Sequence, residues 1–216
     1  MTTAFRGESR SGQEALLARL AQVDFPTLGH FLEQGFVAPA VRRLGLPQRM
    51  IGIAATLALD APDAAAVNRA ILELGPGDVL VVDTRGNQTH AVIGAVTAAA
   101  LRSRGASGVL VDGVVTDIEA LTDPGTGICV HARGTSCLTT KKLGGESGRR
   151  QVAVEVGGVR INPGDVVLGD ANGVIALRPG VLASVLDEAE QSDAQEPALL
   201  RALARGEDLR SLLHLG

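Results

Sequence analysis

The chain has 216 residues, with 20 Lys and Arg against 24 Asp and Glu and a formal net charge of −4. No basic surplus exists to neutralise phosphates, which argues against a nucleic-acid binder held by counterion release. With 45% hydrophobic and 20% charged residues the chain can bury a core, which excludes wholesale disorder. One domain over residues 1–216 is expected at this length. The four aromatics, Phe5, Phe25, Phe31 and Phe36, all lie in the first 36 residues, so from residue 37 onward no Phe, Tyr or Trp can stack on a base or a flavin.

Cys129 and Cys137 allow one disulfide at most, and residues 1–13 lack the apolar run of a secretory signal. A reducing cytoplasm is the expected location. The longest uncharged stretch, 86–101, carries Asn87, Gln88, Thr89, His90 and Thr97 and falls short of the roughly 20 apolar residues of a membrane span. Neither membrane nor nucleic acid is an expected partner.

Leu16, Leu17, Leu20 and Val23 have helical spacing and predict a helix over 14–23; a second short helix is expected from Thr27 to near Gly35. These form a helical N-terminal cap, 14–36, on a core of about 43–180. Residues 51–59 read as a strand, Asp63 as the N-cap of a helix running to Leu74, and Gly75-Pro76-Gly77-Asp78 as a turn. A strand at 79–82, a helix over 91–104 and a strand at 108–111 make a βαβ crossover with parallel pairing. Shorter strands follow at 128–131, 152–156, 159–161, 166–168 and 174–177, with Gly157-Gly158 as a hairpin turn. The polar, Gly-rich loop 132–150 holds Lys141 and Lys142 and reads as mobile or as part of a subunit contact. Helices close the chain over 181–213, with an acidic stretch at 187–196.

Pro76-Gly77-Asp78-Val79 with Asp83 and Gly86 is echoed by Pro163-Gly164-Asp165-Val166 with Asp170 and Gly173. A Pro-Gly turn that launches a buried strand ending in an Asp-x-x-Gly turn accounts for both on backbone grounds.

The run after Val82, Asp83-Thr84-Arg85-Gly86-Asn87, has a single glycine and lacks a dinucleotide fingerprint. Gly144-Gly145-Glu146-Ser147-Gly148 lacks the Lys-Ser/Thr of a phosphate loop, and no Gly-x-Ser-x-Gly elbow occurs. Cys129, His131 and Cys137 make an incomplete zinc set; Cys129 and His131 instead share one strand face, which favours packing over a metal. Lys141 and Lys142 sit in a hydrated loop, unsuited to Schiff-base chemistry.

In open parallel sheets, ligands bind beyond the carboxyl ends of the strands. Here those ends are residues 83–87 and 112–117, and between them a helix starts near Gly94. Its free N–H groups, at Gly94, Ala95, Val96 and Thr97, form an anion cradle that faces Asp117, with room for a divalent metal. The competing reading makes Thr116-Asp117-Ile118-Glu119 a capping box, with Thr116 capping and Glu119 reaching back.

Three sets of residues carry a resemblance when taken in order. They are Gly77-Asp78-Val79-Leu80-Val81-Val82-Asp83, then Gly105, Gly108-Val109, Asp112-Gly113 and Asp117, then Gly157-Gly158-Val159, Pro163-Gly164-Asp165, Asp170 and Gly173-Val174. Together they resemble the superfamily of 4-hydroxy-4-methyl-2-oxoglutarate aldolases and the regulator of ribonuclease activity A. The resemblance implies an α/β fold, a swivelling-domain-like αββα core of mixed β-sheets with N- and C-terminal helices. It also implies a homotrimer or hexamer with sites between subunits. For activity it implies a lyase dependent on a divalent metal, Mg²⁺ or Mn²⁺, acting on a 2-oxo acid by retro-aldol cleavage or decarboxylation through an enolate.

Carried over by position, Gly94, Ala95, Val96 and Thr97 match the amide loop that binds substrate, and Asp117 matches the metal-site carboxylate. Thr116 matches the position of a catalytic, carboxylate-binding arginine, and Ala95 that of an acidic residue. Loss of the two-pronged guanidinium contact costs about 1.5–3 kcal/mol. Arg85, Arg102 and His90 are nearby candidates to compensate. The alternative implied by the same resemblance is a non-catalytic oligomer that binds a protein partner such as a ribonuclease, with the acidic stretch meeting a basic surface. A solvated helix face explains that stretch equally.

Overall fold

The computed structural model describes residues 10–141 and 148–212. In chain order the elements are α1 (Arg10–Leu20), α2 (Phe25–Leu28), β1 (Arg42–Arg43), β2 (Met50–Ala58), α3 (Ala64–Leu72), β3 (Asp78–Asp83), α4 (Ala95–Ser103) and β4 (Gly108–Val115). They continue with α5 (Ile118–Thr122), β5 (Val130–Thr135), β6 (Arg149–Arg150), β7 (Val154–Val156), β8 (Val159–Ile161), β9 (Val166–Gly169), β10 (Val174–Leu177), α6 (Pro179–Ala204) and α7 (Leu209–Leu212).

The main sheet runs β1-β5-β4-β3-β2-β9-β10, with β6 on β2; β7 and β8 form a separate hairpin. Strands β2, β3, β4 and β5 are mutually parallel, and β1, β9 and β10 are antiparallel additions. This is the expected mixed α/β architecture, including the β3-α4-β4 crossover. The centre is parallel because β3, Asp-Val-Leu-Val-Val-Asp, is apolar on both faces and must be covered on both. Alternate residues do this: Leu80 and Val82 pack with Val67 and Ile71 of α3 and Ala98 and Leu101 of α4. Val79 and Val81 pack with Val154, Val156 and Ile161 of the β7–β8 hairpin. A third cluster joins Leu16, Leu20, Leu28, Leu182 and Leu186 of α1, α2 and α6 to Val166, Leu168 and Ile175.

Several boundaries differ from expectation. The helix expected over 14–23 is described from Arg10 to Leu20, although Val23 is still buried. Helix α2 stops at Leu28 instead of near Gly35, because the chain must turn to pair Phe36 with Ile175. The helix expected over 91–104 starts only at Ala95. Residues 91–93 are extended, since Ala91 and Val92 donate to the carbonyls of Leu138 and Val114, which wins over local helical propensity. The strand expected at 128–131 is shifted to Val130–Thr135 and takes part of the expected loop. Within that loop, the Lys141 backbone forms an isolated parallel β-bridge with Asp63, whereas Lys142 and the Gly144–Gly145 motif lie outside the described residues. Gly157 and Gly158 form the hairpin turn at φ 53° and 78°, values a β-branched residue resists. Among the described residues no helix is long and apolar enough to cross a membrane.

Candidate site at the carboxyl ends of the parallel strands

Beyond β3 the chain makes a compact turn. Asp83 accepts from Arg85 N at 2.7 Å, and the Thr84 hydroxyl lies 2.6 Å from Asp112 O and 2.8 Å from Asn87 O. Arg85 is thereby held at φ 54°, a left-handed conformation that is costly for a side-chain-bearing residue. Asn87 Oδ1 then accepts from Thr89 N and His90 N, both at 3.0 Å, an Asx-turn that aims the chain into the extended run 91–93.

That run delivers Gly94, the N-cap of α4. Gly94 N donates to the Thr97 hydroxyl at 2.8 Å, and Ala95 N donates to Asp117 Oδ2 at 2.9 Å. Asp117 lies in the left-handed region, φ 56° and ψ 46°, and Thr116 N donates to Ile93 O at 2.9 Å. A Cβ on Gly94 would stand 2.6 Å from Asp117 Oδ2 and 2.8 Å from Thr116 Cγ2, so only glycine admits this approach. Gly94, Ala95, Thr97, Thr116 and Asp117 therefore lie together. Val96 follows them at the helix start and is 84% exposed.

The capping box expected at Thr116 is absent. The N-cap of α5 is Asp117, no side chain caps that helix, and the Thr116 hydroxyl rests 3.3 Å from Asp117 Oδ1. The left-handed turn carries the Asp117 carboxylate to the start of α4, so it satisfies an orphan amide of the neighbouring helix instead of its own.

The candidate cations separate. Arg102 Nη1 donates to the carbonyls of Pro124 and Gly127 at 2.9 and 3.0 Å and braces that loop. Arg85 and His90 instead line a cavity of about 350 Å³ with Asp60, Thr84, Asn87 and Val92, beyond the ends of β2 and β3. Its wall from the β2–α3 connection carried no motif; only the topology puts residues 59–62 beside residues 84–90. Two of the motif residues meet through a partner the sequence did not indicate: Arg133 Nε pairs with Asp112 Oδ1 at 2.6 Å, and the same oxygen accepts from Gly157 N at 3.2 Å.

Cys129 and His131 are buried together, Sγ 3.9 Å from Nδ1, with His131 Nε2 2.9 Å from Asp170 O. Burial pushes the Cys129 thiol up to about 12 and pulls the His131 imidazole below its usual value. Cys137 is exposed, and both thiols are free.

Against known proteins, the family profile "RraA-like: Aldolase/RraA" matches residues 27–176. A Halalkalibacterium halodurans protein named "Putative 4-hydroxy-4-methyl-2-oxoglutarate aldolase" is 34% identical over 164 residues, covering 76% of each chain. The solved structure of the RNA-processing inhibitor RraA from Thermus thermophilis is 30% identical, with TM-score 0.60, over 66% of this chain and 84% of that one. An uncharacterized Pseudomonas syringae protein, 21% identical, shares the fold over 100% of both chains with TM-score 0.81. The crevice, the mixed sheet around it and these matches lead to one conclusion: the chain belongs to the RraA-like, Aldolase/RraA, family.

Proposed function

We propose that this protein is a divalent-cation-dependent lyase that cleaves a C–C bond of a small 2-oxo acid, by retro-aldol cleavage or decarboxylation. The observation that carries the reading is the strained Asp117, whose carboxylate lies against the first amide of α4 at the mouth of a parallel sheet. Left-handed conformations at side-chain-bearing residues cluster at functional sites because the surroundings must over-determine them. The early amides of α4, at Ala95, Val96 and Thr97, lie before its first intrahelical donor and suit a substrate carboxylate. Thr116 offers that carboxylate one hydroxyl instead of a two-pronged guanidinium, so binding is weak by one to two decades, about 1.5–3 kcal/mol.

Asp117 is the carboxylate at this junction, and among the described residues no three His, Cys, Asp or Glu side chains converge on an ion. Asp117 would hold Mg²⁺ or Mn²⁺, ions that are commonly bound through only one or two carboxylates. Bound there, the ion supplies electrophilic stabilisation of charge on the 2-oxo oxygen. The chain's own part is to hold the acid at the α4 amides and to present Asp117. Assembly as a homotrimer or hexamer, and a cytoplasmic location, consistent with two free thiols, belong to the same proposal.

The test is pyruvate release from oxaloacetate and from 4-hydroxy-2-oxo acids with Mg²⁺. Wild-type activity should disappear with EDTA, and Asp117→Asn should lower it at least about 100-fold. Wild-type protein that releases no EDTA-sensitive pyruvate at high concentration would overturn the reading.

A regulator that binds a protein partner such as a ribonuclease is the second reading, supported by the likeness to the Thermus RNA-processing inhibitor. The acidic stretch contributes less to it than its composition suggests. Asp187 and Glu190 are held by Arg19, and Asp193 accepts from Asp24 N and the Thr27 hydroxyl. Retention of a lysate ribonuclease by the wild-type protein, weakened by neutralising the exposed Glu188 and Glu196, would favour it.

A further inference from the structure

We infer that His90 is a catalytic acid–base residue, and that the cavity it lines receives the half of the substrate that departs when the C–C bond breaks. The inference rests on the lyase reading and deepens it.

Three observations carry it. First, the cavity of about 350 Å³ opens beyond the carboxyl ends of β2 and β3, and the extended run 91–93 joins its wall to the tip of α4. His90 and Val92 both line it; they are alternate members of a run whose next same-side position is Gly94. His90 and Gly94 are four residues apart, so their Cα atoms are at most about 14 Å apart. The cavity lining ends at Val92, so an acid held at the α4 amides would extend along residues 92–94 for its far half to meet the imidazole. Second, the ring is held on one side only. Nδ1 lies 2.9 Å from the Thr89 hydroxyl and 3.4 Å from Asn87 Oδ1, either of which can accept from Nδ1–H and so leave Nε2 with its lone pair, and among the described residues no bond takes Nε2. A ring fixed through one nitrogen with the other open suits a proton shuttle. Third, the turn presenting it is built at a cost: Arg85 is kept left-handed by Asp83, and Thr84 bonds two carbonyls.

In the retro-aldol direction the substrate's 4-hydroxyl gives its proton to His90 Nε2. The C3–C4 bond breaks; C4 and its oxygen become a carbonyl, and the electron pair passes to C3 and onto the 2-oxo group. The imidazolium then returns the same proton to C3, which yields pyruvate and restores the neutral ring. No other reactant is consumed. Decarboxylation of oxaloacetate has no hydroxyl proton to remove, so it needs His90 far less.

This difference is the test. His90→Gln is compared with wild type on 4-hydroxy-2-oxopentanoate and on oxaloacetate with Mg²⁺, and the four histidine Cε1–H signals are followed by NMR as 4-hydroxy-2-oxopentanoate is added without metal. Expected are a fall of about 100-fold or more in kcat for the hydroxy acid, a fall below about 5-fold for oxaloacetate, and a shift of the signal that His90→Gln deletes. If the variant cleaves the hydroxy acid within about 3-fold of wild type, or if both reactions fall together, His90 moves no proton and the lyase reading stands alone. If the wild type acts on neither acid and no histidine signal moves, the lyase reading fails and takes this inference with it.

Discussion

Asp117 spends conformational energy to reach Ala95. A left-handed backbone at a non-glycine residue costs about 1–2 kcal/mol, and the charge-assisted bond to a helix-start amide offsets it. The partner that makes the approach possible is Gly94. Gly94→Ala should push the carboxylate off the amide, because its Cβ would meet Oδ2 at 2.6 Å. We expect a loss of about 1–3 kcal/mol in urea unfolding, with any cation-dependent activity falling alongside it. The meeting of Asp117 with the start of α4 could be anticipated, since both sit at strand ends of one parallel unit. Which helix the carboxylate would serve could not, because Thr-x-x-Glu is a valid capping pattern by itself and only the left-handed turn at Asp117 defeats it. His90 and Arg85 were visible as chemically apt residues; that they share a wall, and that Arg102 faces away to Pro124 and Gly127, depends on the tertiary path.

Single elements reproduce the sequence most faithfully where a side chain closes a local ring. Gly75 N donates to Asp78 Oδ2 and Asn162 N to Asp165 Oδ2, each at 2.7 Å. At the far ends of the two strands Arg85 N meets Asp83 and Asn172 N meets Asp170, again at 2.7 Å. The echoed motif is thus one hydrogen-bonding device used twice, once for a strand paired parallel to both neighbours and once for one paired antiparallel. Where elements are held by distant partners, the boundaries moved, as at residues 91–93. The β7–β8 hairpin depends on such a partner: Asp112 bonds Gly157 N and is neutralised by Arg133. Arg133→Met should strand that carboxylate, with side-chain exposures of only 16% for Asp112 and 23% for Arg133. The expected cost is about 1–3 kcal/mol in urea unfolding, and Asp112→Asn in the same chain should recover part of it.

Across the whole molecule, the strands, the βαβ crossover and the terminal helices were legible from hydrophobic period and turn residues, and the mixed character of the sheet only from the family resemblance. The joining of β9 and β10 to β2 was not, because antiparallel addition to a parallel sheet leaves no local mark. One buried group makes stability as a whole depend on acidity. Burial lowers the His131 pKa, so in mild acid the unfolded chain binds a proton there and the folded chain does not. Stability from this residue is full above about pH 6.5 and is lost as pH falls below that value. The thermal midpoint should drop between pH 7.5 and 5.5, and His131→Gln, which can still donate to Asp170 O, should flatten that drop. The lowered pKa values of Asp123 and Glu190 act only in stronger acid.

The bond from Ala95 N to Asp117 Oδ2 also bears on how any small acid is received. The pole of α4 already has a tenant, and an arriving anion that wants this amide must evict it. Eviction frees the aspartate to turn toward a cation at the moment the acid docks, so acid and cation should each tighten the hold on the other.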